Sequence, residues 1–330
     1  MFKPLTLYLY GMITRISSDV HRAKSALDKG QAIGIPTETV YGLAANALNP
    51  AAVESIFQIK GRPHSNPLIL HFFDVQQARP YIQEFDPELQ RIMEVFSPGP
   101  ITFLVPKTKA VPSLITAGLD KVAIRFPSQP LLRRLLSLLD FPLAAPSANK
   151  YGAVSPTLAQ QVKEQLSGEI PLVLDGGPCG FGLESTIVGM EGPKAVVYRL
   201  GSVPLDDLAV VLGYIPTVKN HKEEQPMAPG MVKYHYAPTT PLHYFSPTQN
   251  PSTQCGYLFL KHFPKGFDHP NSIALSTDGN LKTVARNLYS MLIEMDSRGY
   301  SKLYIEKPKP EGIGLTIIDR LNRATAKYNP

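Results

Sequence analysis

Two cations lie two residues apart at the start of an apolar run, in the stretch KGRPHSNPLILHF. Lys60 and Arg62 could share a polyphosphate, because a guanidinium binds oxygens through a planar fork and an ammonium acts as a compact charge. His71 lies inside the same run, where an aliphatic residue would pack more easily. Taken alone, cations after a helix end are more often surface charges, and a strand histidine is more often part of the core. The stretch therefore needs support from other motifs.

Other short polar clusters lie at the ends of apolar segments, where open α/β sheets bind ligands. PTETVYGL supplies Thr37, PSAN supplies Ser147 and Asn149, and LESTIV supplies Ser185. Each of these is a common turn former when considered alone. Together they offer hydroxyl and amide groups that could orient the oxygens of one ligand.

Two arginines are embedded in apolar segments, Arg125 in KVAIRFP and Arg199 in VVYRL. A buried arginine is suited to bind a carboxylate through its fork. The sequence contains no GxxxxGK[ST] loop, no HExxH and no GxSxG, and its glycine-rich stretch DGGPCGFG leads into a strand instead of a helix. Together, the cations, hydroxyls, amides and buried arginines fit a site where an amino acid and a nucleotide bind next to each other on one sheet.

Composition indicates an ordinary globular protein, with 330 residues, 43% hydrophobic residues and a formal charge of +6. This mildly basic balance suits an anionic ligand. Cys179 and Cys255 are far apart and belong to no cluster, so we expect neither a disulfide framework nor a zinc site. The scarcity of cysteine also favours a cytoplasmic setting. No stretch approaches the roughly 20 apolar residues of a membrane span.

Strand-like and helix-like segments alternate from residue 20 to about 212. Some strands are too close in sequence for a helical crossover, so the pattern predicts an α/β fold with a mixed sheet and helical cover. The predicted helices lie within 17–30, 49–61, 129–139, 155–168 and 204–213, the fourth capped by Ser155. The predicted strands are QAIGIP, PLILHFF, ITFLVP, KVAIRFP, FPLAAP, PLVLD, STIVGM and AVVYRL.

Residues 214–240 are polar and proline-rich and show neither the helical nor the strand periodicity of apolar residues, which predicts a linker. PGM and HYAP within this segment favour a lid that orders on nucleotide binding, and a passive tether is the alternative. After it, four strand-like segments and two helices, within 280–299 and 312–327, predict a compact α/β unit of about 90 residues.

Several of these motifs resemble the YrdC-domain family, whose signature pairs KxR with SxN. They are PTETVYGLAANA, KGRPHSNPLILHF, APSAN with Ser155 a few residues on, and ESTIV. APGMVKYHYAP and the second α/β unit resemble the long, two-domain form of threonylcarbamoyl-AMP synthases. This resemblance implies a twisted mixed-sheet catalytic domain at 13–213, a linker at 214–240 and a smaller Rossmann-like α/β domain at 241–330.

The resemblance also implies an activity. Members of the family join L-threonine, bicarbonate or CO2, and ATP into L-threonylcarbamoyladenylate and release pyrophosphate, with Mg²⁺ entering alongside ATP. This nucleotidyltransferase product feeds the threonylcarbamoyl modification of the adenosine next to the anticodon, through a downstream tRNA threonylcarbamoyl transferase complex. We therefore expect a role in cytoplasmic tRNA processing, with at most a weak contact to RNA and no membrane partner.

Residue roles follow from the resemblance by motif. The signature residues, expected to act in catalysis, are Lys60, Arg62, Ser147 and Asn149. The residues expected to bind L-threonine are Thr37, His71, Arg125, Ala145 and Ser185. The residues expected to bind ATP are Lys60, Arg62, Asn66, Ser147, Ser155, Arg199 and Tyr236. No side-chain motif predicts a set of metal ligands.

Two other function classes stay open from the residues. A non-catalytic RNA-binding module would also use a basic face, although the cations here are few and aromatic residues are not interleaved with them. A carbamoyl-transfer enzyme of the hydrogenase-maturation or antibiotic-tailoring type resembles the same domain. Those enzymes carry a large additional partner domain, which disfavours that assignment.

Overall fold

The computed structural model describes residues 12–219 and 235–328. Its first range contains eleven strands and eight α-helices. The strands are β1 (Arg15–Ser17), β2 (Ile33–Ile35), β3 (Gly42–Asn46), β4 (Ile69–His71), β5 (Ile101–Pro106), β6 (Lys121–Arg125), β7 (Leu143–Ala144), β8 (Leu172–Leu174), β9 (Thr186–Glu191), β10 (Lys194–Arg199) and β11 (Thr217–Val218). The helices are α1 (Val20–Asp28), α2 (Pro50–Lys60), α3 (Val75–Ala78), α4 (Pro87–Phe96), α5 (Ser113–Thr116), α6 (Pro130–Leu136), α7 (Ala159–Leu166) and α8 (Leu205–Leu212).

The strands of this range form one mixed sheet in the order β1-β8-β2-β3-β7-β4-β6-β5-β9-β10-β11. The predicted mixed α/β fold is confirmed, and all eight predicted strands are present. The sequence patterns missed β3, β11 and the three helices α3, α4 and α5. β3 reads GLAAN, whose alanines and glycine have low strand propensity, so its pairing with β2 and β7 comes from the neighbouring strands.

Helix α2 begins and ends where the sequence predicts. The Asn49 side chain accepts hydrogen bonds from the backbone N–H groups of Ala51 and Ala52. Gly61 has φ of 63°, a left-handed conformation that ends the helix. This connection turns the chain from α2 towards β4 and places Arg62 beside the sheet.

The predicted cap of α7 is wrong. The helix starts at Ala159, and the side chain of Gln161 accepts from the backbone N–H groups of Thr157 and Leu158 instead. Ser155 is fully buried and its hydroxyl donates to the Glu184 carboxylate. Ser155 therefore belongs to the interior of the protein and does not cap the helix.

The second range forms a smaller parallel α/β unit, here called the C-terminal unit. Its strands are β12 (Leu242–Tyr244), β13 (Cys255–Phe259), β14 (Ser272–Ala274) and β15 (Lys302–Ile305), and its helices are α9 (Leu281–Ser297) and α10 (Ile313–Thr325). The strands pair in the order β12-β15-β13-β14, all parallel. The predicted second α/β unit is confirmed. No helix within residues 12–219 and 235–328 has the length and apolarity needed to cross a bilayer.

The domain boundaries at 13–213, 214–240 and 241–330 stay a prediction. Within the predicted linker, β11 pairs with β10 and extends the large sheet. The PGM motif lies in 220–234, and the apolar start of the chain lies in 1–11, both outside the described residues.

The C-terminal unit packs directly on the loop before β9. Leu183 of this loop shares a hydrophobic cluster with Leu288 of α9 and Ile317 of α10. Gly182 has φ of 77°, and a Cβ atom there would lie 2.4 Å from the backbone oxygen of Arg286. Such contact is possible only for glycine, so the backbone of α9 rests on the loop itself.

We expect Gly182→Ala to destabilise the protein more than Gly177→Ala. Both glycines lie in the same loop with nearly equal φ, but no atom lies within 4 Å of a Cβ at Gly177. Gly177→Ala should cost only the left-handed strain, about 1 kcal/mol, whereas Gly182→Ala adds a clash with backbone worth about 2 kcal/mol more. Thermal unfolding midpoints measure the difference, and equal midpoints would contradict this packing.

Candidate active site

Strand register brings the predicted amino-acid contacts together. β4 and β6 are parallel neighbours, and His71 is paired directly with Arg125. Both side chains are almost completely buried and line one cavity. His71 and Arg125, each a single polar residue in an apolar strand, are thus direct neighbours in the sheet.

The PSAN loop after β7 forms a second wall of the cavity. Its Pro146 carbonyl accepts from the N–H of Leu43, 2.8 Å away, which ties the loop to β3. The Nζ atom of Lys60 donates to the carbonyls of Ser147 at 2.6 Å and Asn149 at 2.5 Å. Burial, followed by the charge of Arg62, lowers the pKa of Lys60. The lysine therefore joins the two signature motifs by fixing the backbone of the loop.

The cavity collects residues from all the motifs. Its lining residues are Thr37, Thr39, Val40, Gly42, Arg62, Ile69, His71, Arg125, Ala145, Pro146, Ser147, Glu184, Arg199, His235 and Tyr236. Eight of them were predicted as site residues: Thr37, Arg62, His71, Arg125, Ala145, Ser147, Arg199 and Tyr236. The other predicted residues, Lys60, Asn66, Asn149, Ser155 and Ser185, are buried and contact this lining or the loops that carry it.

Arg62 is held by the chain just after it. Its Nε donates to the Asn66 carbonyl at 3.1 Å and its guanidinium to the Pro67 carbonyl at 2.7 Å. Both side-chain polar atoms of Asn66, and Oδ1 of Asn149, are buried without a partner among the described residues. Unpaired buried polar atoms are costly, so these amides are suited to receive a polar ligand.

Arg199 is held at the end of β10. Its guanidinium donates to the Ser185 carbonyl at 2.9 Å and to the Ser185 hydroxyl at 3.0 Å. That hydroxyl also lies 2.7 Å from the hydroxyl of Thr102. Ser185 therefore orients the arginine from behind the cavity wall.

Arg125 is held by an acidic partner that sequence analysis did not assign to the site. The Arg125 guanidinium donates to the Glu38 carboxylate at 2.7 Å and to the Thr39 hydroxyl at 2.9 Å. The Thr37 hydroxyl donates to the Val40 carbonyl at 2.6 Å, which closes this turn. Nε of Arg125 has no hydrogen-bond partner in the part of the chain that is described.

Electrostatics make the cavity cationic while leaving its histidine neutral. Burial, and then the charge of Arg125, lowers the pKa of His71 to about 3. Burial lowers the pKa of Arg62 to about 10, so this side chain stays charged at neutral pH. Three arginines, one from the connection after α2 and two from the ends of β6 and β10, thus face one buried space, which suits an anionic ligand.

Glu184, Thr39 and His235 line the cavity but were not predicted as site residues. Glu184 stands between an apolar stretch and Ser185, and a carboxylate so placed was the available signal. His235 is buried, and its Nδ1 has no partner within the described residues. Tyr236 beside it has φ of 65°, a left-handed conformation that is uncommon outside glycine.

Comparisons with known proteins match both units of the chain. Residues 25–201 match the family model described as "Telomere recombination", and 203–326 match the one described as "Threonylcarbamoyl-AMP synthase, C-terminal domain". A threonylcarbamoyl-AMP synthase of Pyrococcus abyssi is 35% identical over 318 residues, covering 92% of this chain and 93% of that protein. The one of Bacillus subtilis is 35% identical over 319 residues, covering 92% of each chain.

A solved structure agrees over almost the full length. The crystal structure of P. abyssi Sua5 complexed with L-threonine has a TM-score of 0.85 and 32% identity, covering 95% of this chain and 97% of that one. Fold and cavity thus define a YrdC-like α/β protein that carries a second, parallel α/β domain. With both family models and full-length relatives in agreement, the chain belongs to the two-domain threonylcarbamoyl-AMP synthase family.

Buried His71 predicts a loss of stability on mild acidification. The histidine stays neutral in the folded protein down to about pH 3, but it binds a proton in the unfolded chain below about pH 6.5. The unfolded state then binds more protons than the folded state. The free energy of unfolding therefore decreases as the pH is lowered, by about 1.4 kcal/mol per pH unit below pH 6.5. Between pH 7.5 and 5.5, His71→Gln should remove about 1.4 kcal/mol of that fall. Urea titrations at both values measure it, and an unchanged pH dependence would contradict a neutral buried imidazole.

Proposed function

We propose that this cavity makes L-threonylcarbamoyladenylate and pyrophosphate from L-threonine, bicarbonate or CO2, and ATP. The observation that carries the proposal is the convergence of Arg62, Arg125 and Arg199 with a neutral His71 in one buried space. These groups match a triphosphate and an amino-acid carboxylate together. The relatives named threonylcarbamoyl-AMP synthase support the same reaction.

L-threonine would bind at the end of the cavity formed by β4 and β6. Arg125 has an unpaired Nε for the threonine carboxylate, and Glu38 holds one terminal nitrogen of the guanidinium in place. The neutral His71 avoids a second positive charge beside the threonine amine. Thr37 and Ala145 line this end, whereas Ser185, which the resemblance assigned to threonine, holds Arg199.

ATP would bind at the end formed by the Lys60 to Asn66 connection and by Arg199. Arg62 and Arg199 face the phosphates, and Ser147 and Tyr236 also line the cavity. Lys60 acts through the PSAN carbonyls that it holds, which differs from the direct phosphate contact expected from sequence. Asn149 and Ser155 support this end from behind the lining.

The chemistry needs position and charge more than a strong base. The threonine amine adds to CO2 and loses a proton, which gives a carbamate. A carbamate oxygen then forms a bond to the α-phosphorus of ATP, and the bond to the pyrophosphate oxygen breaks. Negative charge grows on the leaving pyrophosphate, so the fixed guanidinium groups of Arg62 and Arg199 stabilise the transition state.

Mg²⁺ would enter with ATP. Glu184 is the carboxylate among the lining residues, and it is already paired with Arg320 at 2.9 Å. A protein-held metal site does not fit this paired carboxylate, so the ion would be held by phosphate oxygens and water, as Mg²⁺ usually is.

The product would act on tRNA through a second enzyme. An acyl adenylate is an activated donor, so a downstream threonylcarbamoyl transferase complex would pass the group to the adenosine next to the anticodon. The cytoplasm is the expected setting for that step.

Arg62→Ala should lower the rate of pyrophosphate release by about 10²- to 10³-fold, because one preorganised charge at the leaving group is lost. Wild-type protein with labelled bicarbonate, threonine and ATP should yield threonylcarbamoyladenylate, detected by mass. Arg22→Ala, which removes an exposed cation on α1, is the matched control and should keep full activity. Absence of the adenylate from the wild-type reaction would reject the function, and full activity of Arg62→Ala would reject the role of that residue.

Arg125→Lys should raise the KM for threonine by about tenfold or more and leave the KM for ATP nearly unchanged, since a lysine cannot reproduce the planar fork. The lysine retains a charge for Glu38, which limits the loss of stability. Initial rates with each substrate varied in turn provide the measurement. An unchanged KM for threonine would remove Arg125 from the carboxylate site.

A further inference from the structure

The carboxylate of Glu184 joins the cavity to the C-terminal unit. Its Oε1 accepts from the Ser155 hydroxyl at 2.8 Å. Its Oε2 accepts from the Tyr289 hydroxyl of α9 at 3.1 Å and from Nε of Arg320 of α10 at 2.9 Å. Glu184 is itself buried and lines the cavity. Two of these three hydrogen bonds thus come from the second unit.

Arg320 makes further contacts beside the cavity. It is 1% exposed, and its guanidinium donates to the Leu200 carbonyl at 2.5 Å, next to Arg199 in sequence. Its guanidinium carbon also lies 4.9 Å from the ring centroid of Tyr236. The Thr316 hydroxyl, one turn earlier on α10, donates to the Gly201 carbonyl at 2.9 Å. Helix α10 is therefore fastened to the backbone that carries Arg199.

The negative charge of Glu184 has to be compensated if the cavity is to bind phosphates. A bare carboxylate on the wall of a triphosphate site would repel the phosphates, and burying it without a partner would cost several kcal/mol. Arg320 supplies the compensating charge, and the hydrogen bonds fix the direction of both carboxylate oxygens. Without Arg320, the charge of Glu184 would offset that of one of the three arginines that line the cavity.

We propose that Arg320 and Tyr289 are positioning residues for the nucleotide end of the active site. Through Glu184 they hold Ser155, and through the Leu200 carbonyl Arg320 holds the chain that carries Arg199. The C-terminal unit then completes the ATP site of the other unit. This inference rests on the proposed function and adds to it a role for the second unit in binding ATP.

The proposal predicts an effect on one substrate only. Loss of the Tyr289 hydroxyl, or exchange of the Arg320 fork for an ammonium, changes contacts at the ATP end and leaves the pair of His71 and Arg125 intact. Tyr289→Phe and Arg320→Lys should each raise the KM for ATP by about tenfold, the effect of one lost hydrogen bond to a charged group. The KM for threonine should stay within about twofold, as expected for an independent site.

Ser290→Ala is the matched control. The Ser290 hydroxyl, next to Tyr289 on α9, accepts from the Gln161 amide at 3.2 Å, so this variant removes another hydrogen bond between the same two units without touching Glu184. It should keep the wild-type KM for ATP. Thermal midpoints of all variants identify any that fail to fold.

A paired variant tests whether charge compensation is the cause. Arg320→Met leaves Glu184 unpaired, and combining it with Glu184→Gln should recover most of the lost ATP affinity, measured by calorimetry. If Arg320→Met alone fails to fold, Tyr289→Phe and Arg320→Lys decide. The proposal is overturned by an unchanged KM for ATP in both, by equal rises for both substrates, or by the same effect from Ser290→Ala.

ATP affinity separates this inference from the proposed function. Wild-type protein that binds ATP but makes no adenylate would reject the proposed reaction, and the calorimetric comparison would still test the positioning of the nucleotide end. Wild-type protein that makes the adenylate, with variants that bind ATP normally, would reject the positioning role alone.

Discussion

Positive charge is buried around one cavity, and the chain itself has to supply oxygen acceptors for it. Desolvation of a single cation costs several kcal/mol unless hydrogen bonds replace the lost water. Lys60 takes two carbonyls of the PSAN loop, and Arg62 takes two carbonyls of its own connection. Arg199 takes the carbonyl and hydroxyl of Ser185. These cations therefore fix the loops that surround the cavity.

The same constraint accounts for the two buried carboxylates of the site. Glu38 compensates Arg125, and Glu184 is paired with Arg320. Burial would raise the pKa of Glu184, but Arg320 and Arg199 outweigh burial and lower it, so the group is ionised. Each acidic residue allows one more arginine in the interior, and the acceptors that remain open belong to groups such as the Asn66 amide.

Much of this site could be predicted from sequence because its motifs lie at strand ends and strand pairing brings such ends together. Asn49 and Gly61 predicted both ends of α2, and the family resemblance grouped His71 with Arg125, which strand pairing places side by side. The pair of Glu184 and Arg320 could not be predicted, because the residues are 136 positions apart and no local pattern joins them. Ser155 shows the opposite error, since a serine before a proline resembles a helix cap even when its hydroxyl is needed by a buried carboxylate.

Tyr236 lines the cavity and is held there by its side-chain contacts. Its left-handed backbone costs about 1 kcal/mol relative to an ordinary conformation. Its ring stacks on Tyr289 with centroids 5.8 Å apart and lies under the guanidinium of Arg320. The backbone of Tyr236 alone would favour another conformation, and the packing of its ring against Tyr289 and Arg320 holds it in this one. The conformation of Tyr236 is therefore held by residues more than 50 positions further along the chain, in the C-terminal unit.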